Sequence, residues 1–220
     1  MSGILSTTGM NEVIFTAFNQ TLYMVFWSTL FSVVIGFFPA ILLTLTAPDG
    51  LKPNKPFYET LSFIINVFRS FPFIILLVIL IPFTRMLVGK AIGTTASIVP
   101  LTVSAIPYIA RVFETSLRET NHGVIEAAKS FGASNPQILI RVYVKESVPR
   151  MLNGIILLII SLIGYSAMAG TVGGGGIGDI AIRYGYQQYK TEYLITCSII
   201  LIIFVQAVQM LGNFMYKKIS

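Results

Sequence analysis

Residues 151–178 read MLNGIILLIISLIGYSAMAGTVGGGGIG and carry no charged side chain. A helix needs about 20 apolar residues to cross the hydrocarbon core of a bilayer. The whole chain of 220 residues is similarly apolar, with 55% hydrophobic residues, only 11% charged residues and a mean hydropathy of +0.79. Soluble globular domains carry roughly a quarter charged residues, so this composition predicts an integral membrane protein.

Five stretches are long and apolar enough to span a bilayer as helices. They are predicted at about 16–46, 58–82, 92–117, 149–171 and 194–215. These runs are unbroken, which argues against the short alternating strands of a membrane β-barrel. The sequence therefore predicts an all-α integral membrane protein, a single transmembrane domain over residues 1–220 with about five helices.

Basic residues near the helix ends predict the orientation, because cytoplasmic loops carry an excess of Lys and Arg. The richer set of helix ends holds Lys52, Lys55, Arg118, Lys129, Arg141, Lys145, Arg150, Lys217 and Lys218. The poorer set holds Arg85, Lys90, Arg183 and Lys190. We assign the richer set to the cytoplasm, so that with five spans the N-terminus lies outside and the C-terminus is cytoplasmic. This bias accounts for the net charge of +6 without nucleic-acid binding.

The titratable residues argue against an enzyme. One cysteine, Cys197, and one histidine, His122, leave no expected disulfide, metal site, cofactor or catalytic set. No G-x-x-x-x-G-K-[ST] motif occurs, so any ATP hydrolysis is expected on a separate subunit. Residues 173–178 fit the pattern G-x-G-x-x-G, but an apolar span precedes them instead of a strand. That context favours a turn after the fourth helix over a dinucleotide site.

The predicted cytoplasmic loop, residues 118–150, begins with a short helix. Thr120 and Asn121 are its candidate N-caps, and Gly132 is its natural stop. Apolar side chains recur at helical spacing at Val124, Ala127, Ala128 and Phe131. This small apolar face fits a partner surface, a helix lying among lipid headgroups, or packing on the chain's own bundle.

A second short helix is predicted in the same loop, ahead of the fourth span. Asn135 is its candidate cap and Pro136 suits its first position, and the helix runs toward Val144. Before the loop, Arg111 and Glu114 are spaced i, i+3 at the end of the third span. This spacing predicts a structural ion pair.

The sequence EAAKSFG at residues 126–132 resembles the EAA signature of ABC-importer permeases, which is Glu-Ala-Ala, three residues and Gly. Further segments are similar to the methionine-importer permeases within that family, at residues 66–77, 81–85, 98–102 and 164–170. The similarity is densest over about residues 60–186. Nine residues after the glycine the family has Ile-x-Leu-Pro, whereas this chain has VYVK at residues 142–145 and no proline there.

The resemblance implies the type I ABC-importer permease fold, with a cytoplasmic coupling helix that docks on the ATPase. The docking residues it implies are Val124, Glu126, Ala127, Ala128, Phe131 and Gly132. It implies a homodimer in a bacterial inner membrane, two cytoplasmic ABC ATPase subunits and an extracytoplasmic methionine-binding protein. The implied activity is import of methionine, in its D- and L-forms, by alternating access. The alternatives are import of another amino acid or small polar solute, and an ATP-independent secondary transporter.

Four residues are candidates for lining a translocation pathway. Arg69 lies in the second apolar stretch, where a charge costs about 2.5–3.5 kcal/mol at the helix centre, so it faces protein or water, or it reaches the headgroups past a kink at Pro72. Small and polar residues of the fourth helix either line the path or only permit close packing, namely Tyr165, Ser166 and Met168. Beyond the glycines, Asp179 and Arg183 either face the receptor or are solvated loop charges.

Overall fold

The computed structural model describes residues 2–219, with side chains described from residue 9 onward. All regular structure in that range is helical. The long helices are α1 (Ser2–Thr46), α2 (Lys55–Arg69), α5 (Thr94–Arg118), α8 (Lys145–Gly170) and α10 (Thr191–Ile219). The short ones are α3 (Phe73–Ile79), α4 (Ile81–Val88), α6 (His122–Ser130), α7 (Asn135–Ile138) and α9 (Gly176–Ile180). Single π-helical segments, Leu139–Val144 and Ala181–Tyr186, follow α7 and α9.

Four helical stretches are long and apolar enough to cross a membrane. They are Gly9–Thr46, Thr94–Arg118, Asn135–Gly170 and Thr191–Ile219. The predictions of the first, third, fourth and fifth spans are therefore confirmed. The first and fourth helices begin earlier than predicted, and the fourth continues through Pro149, which stands at its predicted start.

The prediction of one continuous helix over residues 58–82 is wrong. The chain bends by 97° between α2 and α3, and α4 follows as a third piece. Pro72 causes the break, because proline lacks an amide hydrogen and disfavours helical geometry in the residue before it. Pro72 instead stands ahead of α3 in extended geometry, with φ −60° and ψ 128°. The fifth span exists only if α2 and α3 count together as one crossing.

Helix α5 forms the centre of the bundle, packed between α1 and α8. In the most apolar 18-residue stretch of α5, 67% of the residues are buried, against 6% in the corresponding stretch of α10. Its core side chains, Leu101, Ile109 and Phe113, meet Leu158 and Leu162 of α8 in one apolar cluster. The other helices are therefore arranged around α5, while α10 leaves most of its apolar surface exposed.

The loop between α5 and α8 differs in part from its prediction. Asn121 caps α6 as predicted, with its Oδ1 accepting from the amide of Gly123 at 2.8 Å. The second helix is capped by Ser134, and Gln137 completes a capping box, so the assignment of Asn135 as cap is wrong. This helix also does not end near Val144. It continues through the π-helical segment into α8, because no glycine or proline interrupts it there.

A buried carboxylate joins α5 to its neighbours at the α6 end of the bundle. The predicted ion pair is confirmed, with Arg111 Nη1 lying 2.6 Å from Glu114 Oε2. Glu114 is only 2% exposed and also accepts from the hydroxyl of Tyr58 at 2.8 Å. Arg118 lies 3.5 Å from Glu114 and 2.9 Å from Asp49. The network extends to α2 through bonds from Arg111 to Ser62 (2.7 Å) and Asn66 (3.0 Å).

We expect Glu114→Gln to destabilise the protein by about 3 kcal/mol, because it removes the buried counter-charge of two arginines. The thermal unfolding midpoint in detergent measures this change. Glu119→Gln is the matched control, since Glu119 is exposed and pairs with Arg150 at 3.3 Å. An exposed pair contributes about 0–1 kcal/mol. Equal midpoints for the two variants would contradict the structural role of Glu114.

Candidate functional site

Helix α6 presents most of the predicted docking residues to solvent. Val124, Glu126 and Ala127 are exposed, and Phe131 is 92% exposed. Gly132 is exposed as well, whereas Ala128 is half-buried. These six residues form what we call the α6 surface: Val124, Glu126, Ala127, Ala128, Phe131 and Gly132. An exposed aromatic ring beside small side chains is typical of a surface that a partner covers.

The end of α6 explains why the Phe131 ring stands free. Gly132 adopts φ +77°, a left-handed conformation that favours glycine and ends the helix as predicted. The amide of Ala133 then bonds to the carbonyl of Ala128 at 3.1 Å, which closes the turn. Phe131 occupies the last position before this turn, so its side chain projects away from the chain.

Sequence reasoning missed Ile125, the residue that fixes α6 to the rest of the protein. Ile125 is only 4% exposed and packs in a cluster with Leu117, Ile138 and Tyr143. The predicted apolar face adjoins this side of the helix, and Ala128, which packs against the same cluster, belongs to both. The signal available in the sequence was the pair Ile125 and Ala128, spaced i, i+3.

The candidate pathway residues lie at the end of α2 and in the second half of α8. Arg69 is exposed at the end of α2, where the chain bends. Tyr165 stacks on Phe73 of α3, with ring centres 4.8 Å apart and planes 9° apart. Ser166 is buried and donates to the carbonyl of Ile163 at 2.7 Å. Met168 is exposed on the opposite side of that turn. The structure thus gives Ser166 a local bond and leaves Arg69 and Met168 open to solvent, lipid or a second subunit.

Asp179 and Arg183 form an ion pair at 2.8 Å, at the end of the bundle that carries the glycine-rich turn. The guanidinium of Arg183 also lies 5.2 Å from the ring centre of Tyr184. The pair lines a polar cavity of about 530 Å³. Side chains of α1 close the other wall, namely Glu12, Thr16 and Gln20. A charged, open cavity of this kind suits contact with water or with a polar partner.

The described residues contain no cluster of three or more His, Cys, Asp or Glu side chains that could hold a metal ion. The predicted turn after the fourth helix is confirmed at residues 171–175, and no strand precedes it within residues 2–219.

The chain matches known transport proteins. A family model described as the binding-protein-dependent transport system inner membrane component matches residues 32–220. The probable D-methionine transport system permease protein of Pasteurella multocida is 48% identical over 199 residues, which cover 90% of this chain and 92% of that protein. The methionine import system permease protein of Bacillus subtilis is 39% identical over 172 residues, or 78% of each chain.

Solved structures agree with these relatives. A chain of a methionine ABC transporter in inward-facing conformations superposes with a TM-score of 0.94, at 42% identity, covering 96% of this chain and 98% of that one. A chain of an amino acid ABC transporter superposes with a TM-score of 0.80 at 21% identity, covering 97% of each chain, which supports the fold alone. The predicted type I ABC-importer permease fold is confirmed, and the chain belongs to the family of binding-protein-dependent transport system inner membrane components.

Proposed function

We propose that this chain is the permease subunit of an ATP-driven importer, and that its cargo is methionine. The observation that carries the proposal is the α6 surface, which is exposed, partly apolar and held on a helix that is anchored by the buried Ile125. Two copies of the chain enclose the pathway, two ABC ATPases bind at the α6 surface, and an extracytoplasmic binding protein delivers the solute. ATP hydrolysis belongs to the ATPase, because this chain has no phosphate-binding motif.

Two connections transmit ATPase movement from α6 into the bundle. The first is the packing of Ile125 against Leu117 at the end of α5. The second runs through Ile138, since Asn135–Gly170 forms one continuous helical stretch. A displacement of α6 therefore acts directly on two membrane-spanning helices. Alternating access follows if the two subunits rock about their shared pathway as the ATPases close and open.

The pathway is proposed to run along the exposed side of α8 and the bend after α2. Met168 and Gly164 are exposed on that side of α8. Tyr165 forms the boundary of the proposed pathway, where its ring stacks on Phe73. Arg69 stands at the bend, where its charge is satisfied by water in the pathway or by the second subunit. Ser166 lies on the buried side of α8, and its hydroxyl is bonded within that helix.

Methionine is proposed as the cargo because of the relatives, since the apolar spans do not specify a substrate. Both relatives described above carry methionine or D-methionine transport in their names. The excess of Lys and Arg at one set of helix ends supports the orientation with the N-terminus outside. In that orientation the α6 surface faces the cytoplasm, while Asp179 and Arg183 face the binding protein.

We expect Phe131→Asp to abolish most ATPase binding while the permease still inserts in the membrane. The ring is outside the chain's own core, so folding does not depend on it, whereas an aromatic anchor at an interface carries about 10-fold or more in affinity. Co-purification of the ATPase with tagged permease measures the effect. Tyr189→Asp is the control, because Tyr189 is an exposed aromatic residue on the opposite side of the membrane. Undiminished ATPase recovery with Phe131→Asp would refute docking at this surface.

Cysteine labelling tests the orientation. The native Cys197 is fully buried, so the unmodified protein supplies the background. In cells that lack the ATPase, we expect a membrane-impermeant maleimide to label Phe131→Cys only in inside-out vesicles. Tyr189→Cys should react only from the outside. The reverse pattern would place the α6 surface outside the cell and overturn the proposed function.

Uptake of labelled methionine tests the function itself. In a transport-deficient host, we expect accumulation only when permease, ATPase and binding protein are all present. Excess unlabelled methionine should compete, and comparison of its D- and L-forms shows which is accepted. Uptake without the ATPase would indicate a secondary transporter. Competition by other amino acids but not by methionine would show that methionine is not the cargo.

A further inference from the structure

Two side chains of α1 hold the start of α9, although 156 residues separate them in sequence. The Oε1 atom of Gln20 accepts from the amide of Gly176 at 2.8 Å. The hydroxyl of Thr21 accepts from the amide of Ile177 at 3.0 Å. Gly175, which precedes α9, provides no side-chain cap. The first amides of a helix have no partner within it, so α1 supplies the acceptors that α9 lacks.

The bond to Thr21 lies where water is scarce, because Thr21 and Ile177 are almost completely buried, at 1% and 0% exposed. An unpaired amide in such a place is unfavourable, so removing the Thr21 acceptor disturbs the turn. Gln20 is half-buried and lines the polar cavity. Around these bonds, Ile14 and Ala17 of α1 pack with Ile177 and Ile180 in an apolar cluster. The outer part of α1 is therefore bound to α9 by both polar and apolar contacts.

The glycines of the turn are required by this contact. Gly175 and Gly176 adopt φ +76° and +84°, a region that favours glycine. A Cβ atom on Gly175 would lie 2.7 Å from Gln20 Oε1, and one on Gly176 would lie 2.7 Å from Thr21 Oγ1. The backbone of the turn thus rests directly on the two polar side chains, with no room for others between them.

We propose that Gln20 and Thr21 are positioning residues for the contact with the extracytoplasmic binding protein. They fix the turn and α9, and through them the ion pair of Asp179 and Arg183. Gln20 also lines the same polar cavity as that pair. The inference rests on the proposed function. It assigns a transport role to residues ahead of position 32, where the family match begins.

The test compares two double variants, one that removes the acceptor oxygens at both positions and one that keeps an oxygen at each. The double variant Gln20→Leu with Thr21→Val removes both acceptors. The double variant Gln20→Glu with Thr21→Ser keeps an oxygen at each position, and a negative charge is favourable at a helix N-terminus. Asn19→Leu is the control for polarity, since Asn19 is exposed on the same helix. All are purified as the permease–ATPase complex in lipid nanodiscs. If the first double variant is not recovered, Thr21→Val alone takes its place.

The first measurement is amide hydrogen exchange at residues 176 and 177. We expect exchange roughly ten-fold faster in the variant without acceptors, because opening of the turn no longer breaks those bonds. The variant with oxygens and Asn19→Leu should exchange like the unmodified protein. Equal exchange in all of them would overturn the proposal.

The second measurement titrates the binding protein against ATPase activity. In the variant without acceptors, we expect the concentration of binding protein that gives half-maximal ATPase stimulation to rise about ten-fold. The maximal ATPase rate should stay within about two-fold, because the contact site for the binding protein is displaced rather than removed. If the variant that keeps both oxygens has the half-saturating concentration of the unmodified protein, the effect is due to positioning and not to general instability. An unchanged half-saturating concentration, or a loss confined to the maximal rate, would overturn the positioning role.

Failure of the proposed function gives a different result. In that case the binding protein does not stimulate the unmodified complex at all. The role of Gln20 and Thr21 in contact with the binding protein is then refuted together with the proposed function. The hydrogen-exchange measurement still decides whether α1 holds the glycine-rich turn.

Discussion

The structure depends on one constraint, that backbone amides and carbonyls in a bilayer must be bonded within the protein. Long helices meet it, and the places where helices stop need separate solutions. At the bend before α3, the amide of Ser70 bonds back to the carbonyls of Asn66 and Val67. At the start of α9, Gln20 and Thr21 supply the acceptors. These two interruptions are thus each matched by specific bonds.

The features that the sequence predicts correctly are those whose partners lie within about four residues. The cap at Asn121, the stop at Gly132 and the pair of Arg111 with Glu114 all depend on neighbours along one helix. Apolar length alone predicts four of the spans. Local chemistry determines these features, so a pattern of residues is enough to find them.

The features that sequence reasoning misses depend on distant partners. Pro72 marks an interruption, but a 97° bend instead of a kink depends on packing, where Phe73 stacks on Tyr165 of α8. Ile125 escapes notice because its partners come from α5 and from the helix that begins with α7, not from neighbours along α6. The caps from α1 cross 156 residues. No spacing rule along the chain connects such pairs.

The distribution of interhelical bonds bears on how the bundle moves. Apolar side chains fill the middle of α5, and contacts of this kind are not directional. Short hydrogen bonds lie at the two ends instead. On one side the hydroxyl of Tyr58 donates to Glu114, and on the other the first amides of α9 donate to Gln20 and Thr21. These bonds have directions and distances that sliding would break. Movement between access states is therefore expected to carry α2 with α5, and α9 with α1, as units, and to take place through the apolar middle.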